Sequence, residues 1–132
     1  MKRTPLYETH RAHGATFAEI HEGWELVSHF TAPRQEHHAV RAGVGILELS
    51  HRGRLRLTGR DRAKFLHRII SNDVEGLKAG SGNYATILTN RGKIIADMKV
   101  YVFEDFIGID TNAETTEILY RELDKYLIAD DV

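Results

Sequence analysis

The sequence predicts an α+β fold, a largely antiparallel sheet with flanking helices, and two observations carry that prediction. Apolar runs at Tyr84–Thr89 and Ile94–Phe103 flank the tight link Asn90-Arg91-Gly92-Lys93, in which Gly92 supplies the positive φ that such turns commonly need. Apolar residues recur at helical spacing in two other places, Phe65, Leu66, Ile69 and Ile70, and later Leu119, Leu123, Tyr126 and Leu127. Hairpins interleaved with helices favour this class over a doubly wound parallel sheet.

The elements follow in order. Thr4-Pro5 predicts a helix start, with threonine as N-cap and proline at the first helical position, and Gly14 a stop near His13. Strands are expected at Ala15–Ile20 and Trp24–Phe30. Pro33 opens a second helix that carries Gln35–Arg41 and ends near Gly43 or Gly45. Gly45–Leu49 and Leu55–Thr58 read as strands around the polar link Ser50-His51-Arg52-Gly53. Asp61–Ile70 is expected as a helix that Ser71-Asn72-Asp73 breaks, and Ala79–Gly82 as a loop. Glu104-Asp105 turns the chain into a strand at Phe106–Ile109, and Thr111-x-x-Glu114 has the spacing of a capping box for the last helix. Ile128–Val132 then begins as another strand would, an ending that fits a cut piece as well as a compact protein.

Composition narrows the function classes. The 132 residues suffice for one modest domain with a core, and 42% hydrophobic with 28% charged residues is ordinary for a globular chain. A net charge of -1 gives no electrostatic case for nucleic acid or an anionic membrane. The lack of cysteine excludes disulfides and thiolate chemistry within these residues. No apolar run reaches membrane-spanning length and Met-Lys-Arg-Thr-Pro has no signal-peptide core, so the expected compartment is the cytoplasm. The eight histidines include no His-Glu-x-x-His pattern, and a metal site is not expected. Gly80-Ser81-Gly82 lacks the lysine and spacing of a phosphate loop. Ser50-His51 are adjacent, a poor geometry for a nucleophile and its base.

Asp97 is the residue that asks for an explanation. Aspartate is depleted in strands because its short side chain competes with the ladder for backbone hydrogen bonds, yet it sits between Ala96 and Met98. Period two places it on one face with Lys99, Tyr101 and Phe103, opposite Met98, Val100 and Val102. Tyr84 and Tyr101 can line that face and stack on a flat ligand. On spacing alone, an ion pair with a neighbouring lysine or arginine is favoured about two to one over a catalytic role, since structural ion pairs outnumber catalytic carboxylates.

The ordered set of segments resembles the N-terminal part of the glycine-cleavage T-protein (aminomethyltransferase) family, a folate-binding fold. The matching pieces are Arg3-Thr4-Pro5-Leu6-Tyr7-Glu8-x-His10, Gly23-Trp24-Glu25, Glu36-His37-His38-Ala39-Val40-Arg41, Val44-Gly45-Ile46 and Leu49-Ser50-His51. They continue with Thr58-Gly59-x-Asp61, Phe65-Leu66, Asn72-Asp73-Val74, Tyr84 and Arg91-Gly92-x-Ile94-Ile95-x-Asp97.

The resemblance implies that residues 1–132 form the N-terminal portion of a longer, multi-subdomain folate-binding protein. It implies a one-carbon transfer from an aminomethyl group on a lipoylated carrier protein to tetrahydrofolate, with ammonia released. Asp97 matches the family's catalytic aspartate, and Tyr84, Tyr101 and, allowing for a gap, Asn112 match residues that line its folate pocket. Two departures stand out. Arg52 replaces an apolar residue of the family's Ser-His-Met-Gly, where it could attract an anion such as the folate glutamate tail, and Ala96 replaces an acidic neighbour of the aspartate. A sister branch, folate-binding accessory factors for iron–sulphur cluster assembly or repair, resembles the chain almost as well through Arg52-Gly53, Ala96-Asp97 and the segment Tyr126–Val132.

Overall fold

The structure, a computed structural model, describes residues 1–21 and 23–132. Backbone contacts divide the chain into two compact units, Met1–His51 and Arg52–Val132.

In the first unit, β1 (Lys2–Arg3) runs parallel to β3 (Trp24–His29), whose other edge pairs antiparallel with β2 (Thr16–His21). Helices α1 (Tyr7–Ala12) and α2 (Pro33–Ala42) complete it. Tyr7 and Leu26 are its buried apolar residues, and the Tyr7 ring packs 4.3 Å from that of Phe17. Pro33 occupies the first turn of α2 as expected. The start of α2 is held by Glu36, whose Oε1 accepts the N–H groups of Phe30 (2.6 Å) and Thr31 (2.8 Å). Those two backbone donors, Thr31 first, hold its carboxyl below the usual range.

Two expectations fail in this unit for one reason. Thr4 does not cap α1, and 45–49 is not a strand. The Glu48 carboxylate accepts the Thr4 hydroxyl (2.6 Å) and the Leu6 N–H (3.3 Å), and it pairs with His10 Nε2 at 2.9 Å. Side-chain anchoring therefore fixes the segment that periodicity assigned to a ladder, and leaves Ile46 fully exposed. Burial raises the Glu48 pKa, but the hydroxyls of Thr4 and Ser50, with His10 and Leu6 N–H, more than offset it and leave the group below its ordinary value.

The second unit is built on a four-stranded antiparallel sheet in the order β4 (Gly53–Leu57), β7 (Ile107–Thr111), β6 (Ile94–Val102), β5 (Gly82–Leu88). One face is covered by α3 (Arg62–His67) and α4 (Thr116–Asp124), which bury Phe65, Leu66, Leu119 and Leu123 against it. The sheet contributes Leu57, Ala85, Ile87, Ala96, Met98, Val100, Ile107 and Ile109. Fully burying a side chain of this size stabilises by roughly 1.5–3 kcal/mol, so this face fixes the register.

Several expected boundaries move. Helix α3 ends at His67, and Ile70 instead bridges to Ile87. The Asp61 carboxylate accepts the Asp131 N–H (3.0 Å) rather than capping α3, while its own N–H donates to Asp131 O (3.1 Å). This exchange and the Arg68–Asp130 bond (2.7 Å) occupy 128–132, which form no strand. The capping box is also absent. Thr111 is fully buried as the last residue of β7, and a 3₁₀ turn at Ala113–Thr115 precedes α4. Of the predicted stripe, Leu119 and Leu123 are buried, while Tyr126 and Leu127 lie past the helix and are partly exposed.

The alternation along β6 sets a direct expectation. Met98→Ala should cost about 2–5 kcal/mol by urea denaturation, whereas Lys99→Ala, one residue on, should stay within about 0.5 kcal/mol. Equal losses would contradict the face assignment.

Candidate functional site

The exposed face of the second sheet carries the polar residues that the sequence singles out. The β5–β6 hairpin closes through Thr89 N–H to Lys93 O (2.8 Å) and Gly92 N–H to Thr89 O (2.9 Å), with Gly92 at φ +76°. Its register pairs Thr86 with Asp97 and Tyr84 with Lys99. Tyr84 is thus a diagonal neighbour of Asp97, a distance that only a long side chain bridges. The phenol donates to Asp97 Oδ2 at 2.9 Å.

That bond answers the question that spacing left open. Among the described residues, Asp97 has no ion-pair partner, and its carboxylate is held by a neutral phenol. One carboxylate oxygen is occupied, and the group keeps further acceptor capacity toward the open face. The phenol in turn is harder to ionise. The hydrogen bond to Asp97 first, then desolvation and the carboxylate's charge, raise the Tyr84 pKa above its ordinary value.

Backbone constraints fix the aspartate from behind. Buried Thr111 donates its hydroxyl to the Asp97 carbonyl oxygen at 2.7 Å and meets Thr115 Oγ1 at 3.0 Å. The β6–β7 ladder pairs Lys99 with Asp110 and ends there, and Asn112 follows the last residue of β7. The Asn112 carbonyl accepts Thr115 N–H (3.1 Å), Thr115 Oγ1 (3.2 Å) and Thr116 Oγ1 (2.9 Å), which locks its backbone at the entrance to α4.

Tyr101 stands further along the same face, 44% exposed. Its cross-strand partners are Gly82 and Gly108, and the rings of Phe103 and Phe106 lie over Gly108, where a Cβ would meet them at 3.4 and 3.8 Å. A Cβ at Gly82 would lie 2.3 Å from Val100 O, which restricts that position to glycine. Phe103 and Phe106 stack beyond it, 4.3 Å apart, and Arg56 lies over Phe106 at 4.4 Å. A cavity of about 380 Å³ runs here between Tyr101, Arg54 and Arg56 and stops short of Asp97.

Arg52 is directed inward along this face. Its Nε contacts Asp110 Oδ1, and its Nη1 donates to Asn112 Oδ1 at 2.9 Å. Tyr84 is thus bonded to Asp97, Arg52 to Asp110 and Asn112, and Lys99 lies between Tyr84 and Asp110 in the cross-strand row, with Tyr101 two residues along β6. Sequence reasoning missed Asp110 and Thr111. The alternation along β7, apolar at Ile107 and Ile109 with Asp110 on the opposite face, was the signal available. Among the described residues, no group of three His, Asp or Glu side chains is placed to hold a metal, and no helix is long and apolar enough to cross a membrane.

Residues 6–132 match the family model of the GCVT N-terminal domain. The chain belongs to this family. Aminomethyltransferases of Bacillus cytotoxicus and Bacillus mycoides are each 33% identical to it over 132 residues, 98% of this chain and 36% of theirs. The glycine cleavage system aminomethyltransferase T from Bartonella henselae has the same fold, with a TM-score of 0.79 at 25% identity, over 98% of this chain and 36% of that one. The GCVT chain thus spans about a third of the length of the relatives it matches, and it corresponds to the N-terminal part of the T-protein fold expected from its motifs.

The Tyr84–Asp97 bond has a measurable signature. Below the ordinary tyrosine pKa of about 10, the protonated phenol stabilises the fold through this bond, and that contribution is lost as pH rises through the raised folded-state pKa. Tyrosinate absorbance assigned by difference against Tyr84→Phe should titrate above the ordinary range and fall back toward it in Asp97→Asn. An unchanged midpoint would refute the bond.

Proposed function

We propose that this chain presents the folate-facing carboxylate of an aminomethyltransferase. In this reading the aminomethyl carbon leaves its carrier sulphur and its amino nitrogen, and forms two new bonds to nitrogens of tetrahydrofolate. The two protons displaced from those nitrogens go one to the departing ammonia and one to the carrier thiol. Methylenetetrahydrofolate, ammonia and the dihydrolipoyl carrier protein are the products.

The observation that carries the reading is the Asp97 carboxylate held by a neutral phenol on an open sheet face. A carboxylate paired to a cation would have its charge committed, whereas here an acceptor remains for the N–H of an attacking nitrogen. As that nitrogen becomes bonded to carbon it acquires positive charge, and an adjacent carboxylate stabilises the charge and takes the proton. Tyr84 keeps the carboxylate oriented, and the exposed Tyr101 offers a ring for stacking on a flat ligand. Asn112, bonded to Arg52, adds an amide at the end of β7. Family membership and the transferase names of the relatives support transfer, and no feature of the fold favours the iron–sulphur accessory role.

The test is ammonia release from an aminomethyl-lipoyl carrier by the intact protein, alongside calorimetric titration with tetrahydrofolate. Asp97→Asn should lower kcat/KM by about 10²–10⁴-fold, the usual span for a general acid–base group, with Kd changed by less than about tenfold. An Asp97→Asn protein that turns over within threefold of the original would sink the proposal.

A further inference from the structure

We propose that Arg52 is a positioning residue of the folate site, one that acts through Asn112 rather than on the ligand. The inference rests on the folate reading above and sharpens it.

The guanidinium bridges two partners. Its Nε contacts the Asp110 carboxylate and its Nη1 donates to Asn112 Oδ1 at 2.9 Å. Arg52 and Asp110 are only 21% and 19% exposed, so the pair is partly shielded and its net charge is near zero. Such a cation has little long-range pull left for an anionic ligand. What it keeps is geometry, because a planar fork with fixed donor directions holds both partners in one arrangement.

The consequence falls on Asn112. Arginine carries donors and no acceptor, so the amide atom that faces it must be the oxygen. The amide's NH₂ group is then the part left to a ligand. The backbone of Asn112 is already locked by Thr115 and Thr116, and Arg52 removes the remaining side-chain freedom. Asn112 therefore meets the ligand as a fixed hydrogen-bond donor, and Asp97 supplies an acceptor to the same ligand. A reduced pterin carries a ring N–H next to a ring carbonyl, and that edge complements one acceptor and one donor. An amide free to flip would offer either group, and the discrimination would be lost.

Two ligands and one mutant cycle separate this role from the alternatives. 6-Methyltetrahydropterin keeps the reduced pterin ring of tetrahydrofolate but carries no carboxylate. In the intact protein, calorimetry should show Arg52→Met raising Kd for both ligands by the same factor, about tenfold, as expected for one charge-assisted hydrogen bond misplaced. The effect should vanish in an Asn112→Ala background, since residues acting through one another are not additive. Arg52→Lys keeps a charge beside Asp110 but not the fork, and should show the same loss with an unchanged urea midpoint, which guards against a folding defect in Arg52→Met. Loss confined to tetrahydrofolate would make Arg52 a tail anchor and overturn the proposal. Full additivity with Asn112→Ala would make its role merely structural and overturn it too. If the unaltered protein binds neither ligand, the folate reading itself fails and this inference falls with it.

Discussion

A β-strand offers only every second side chain to a given face, and in β6 that constraint decides which side chains form the open face. Ala96, Met98 and Val100 are buried against α3 and α4, so Asp97, Lys99 and Tyr101 have to face outward. A slip of one residue would bury a carboxylate and a lysine and expose the core, at a cost of several kcal/mol. The register that the core enforces also pairs β5 with β6 such that the Tyr84 phenol reaches Asp97, and β7 with β6 such that Asp110 sits opposite Lys99. The polar face is thus a by-product of hydrophobic packing on the other side. Thr111 links the two, since it is buried with the core residues and donates to the Asp97 carbonyl.

The hairpin and its alternation were legible because both are local. Asn90-Arg91-Gly92-Lys93, the apolar runs around it, and a lone carboxylate among them suffice to place Asp97 on the same face as Tyr101. The errors share a different origin. Glu48 is taken by Thr4 and His10, 44 and 38 residues away, and no periodicity within Gly45–Leu49 contains that fact. Thr111 has the spacing of a capping residue, but its hydroxyl is claimed by the next strand. Asp61 precedes α3 as the sequence expects, while its carboxylate accepts the Asp131 N–H. For Glu48 and Thr111 a polar side chain is bound by a partner that local spacing does not reveal.

Site residues divide along the same line. Asp97 and Tyr84 are 13 positions apart across one turn, so their meeting could be anticipated. The partners of Arg52 are 58 and 60 positions away on β7 and its exit, and only the folded register reveals them. An arginine in a position where the family resemblance expects an apolar residue suggests a new charge in the pocket. Its pairing with Asp110 instead makes the substitution nearly neutral and turns it into a matter of orientation. Lys99 lies between Tyr84 and Asp110 in the cross-strand row, and Asp110 rather than Asp97 borders the cavity beside Tyr101, Phe103 and Phe106.

The most direct test of the account is the environment of the Asp97 carboxylate when ligand arrives. Carboxyl-labelled aspartate gives one carbon resonance per residue, and the Asp97 signal is the one missing from the Asp97→Asn spectrum. Adding tetrahydrofolate to the intact protein should shift that resonance while leaving those of Asp61 and Asp131 in place. An unmoved Asp97 signal in a protein that demonstrably binds tetrahydrofolate would contradict the claim that this carboxylate faces the folate nitrogen.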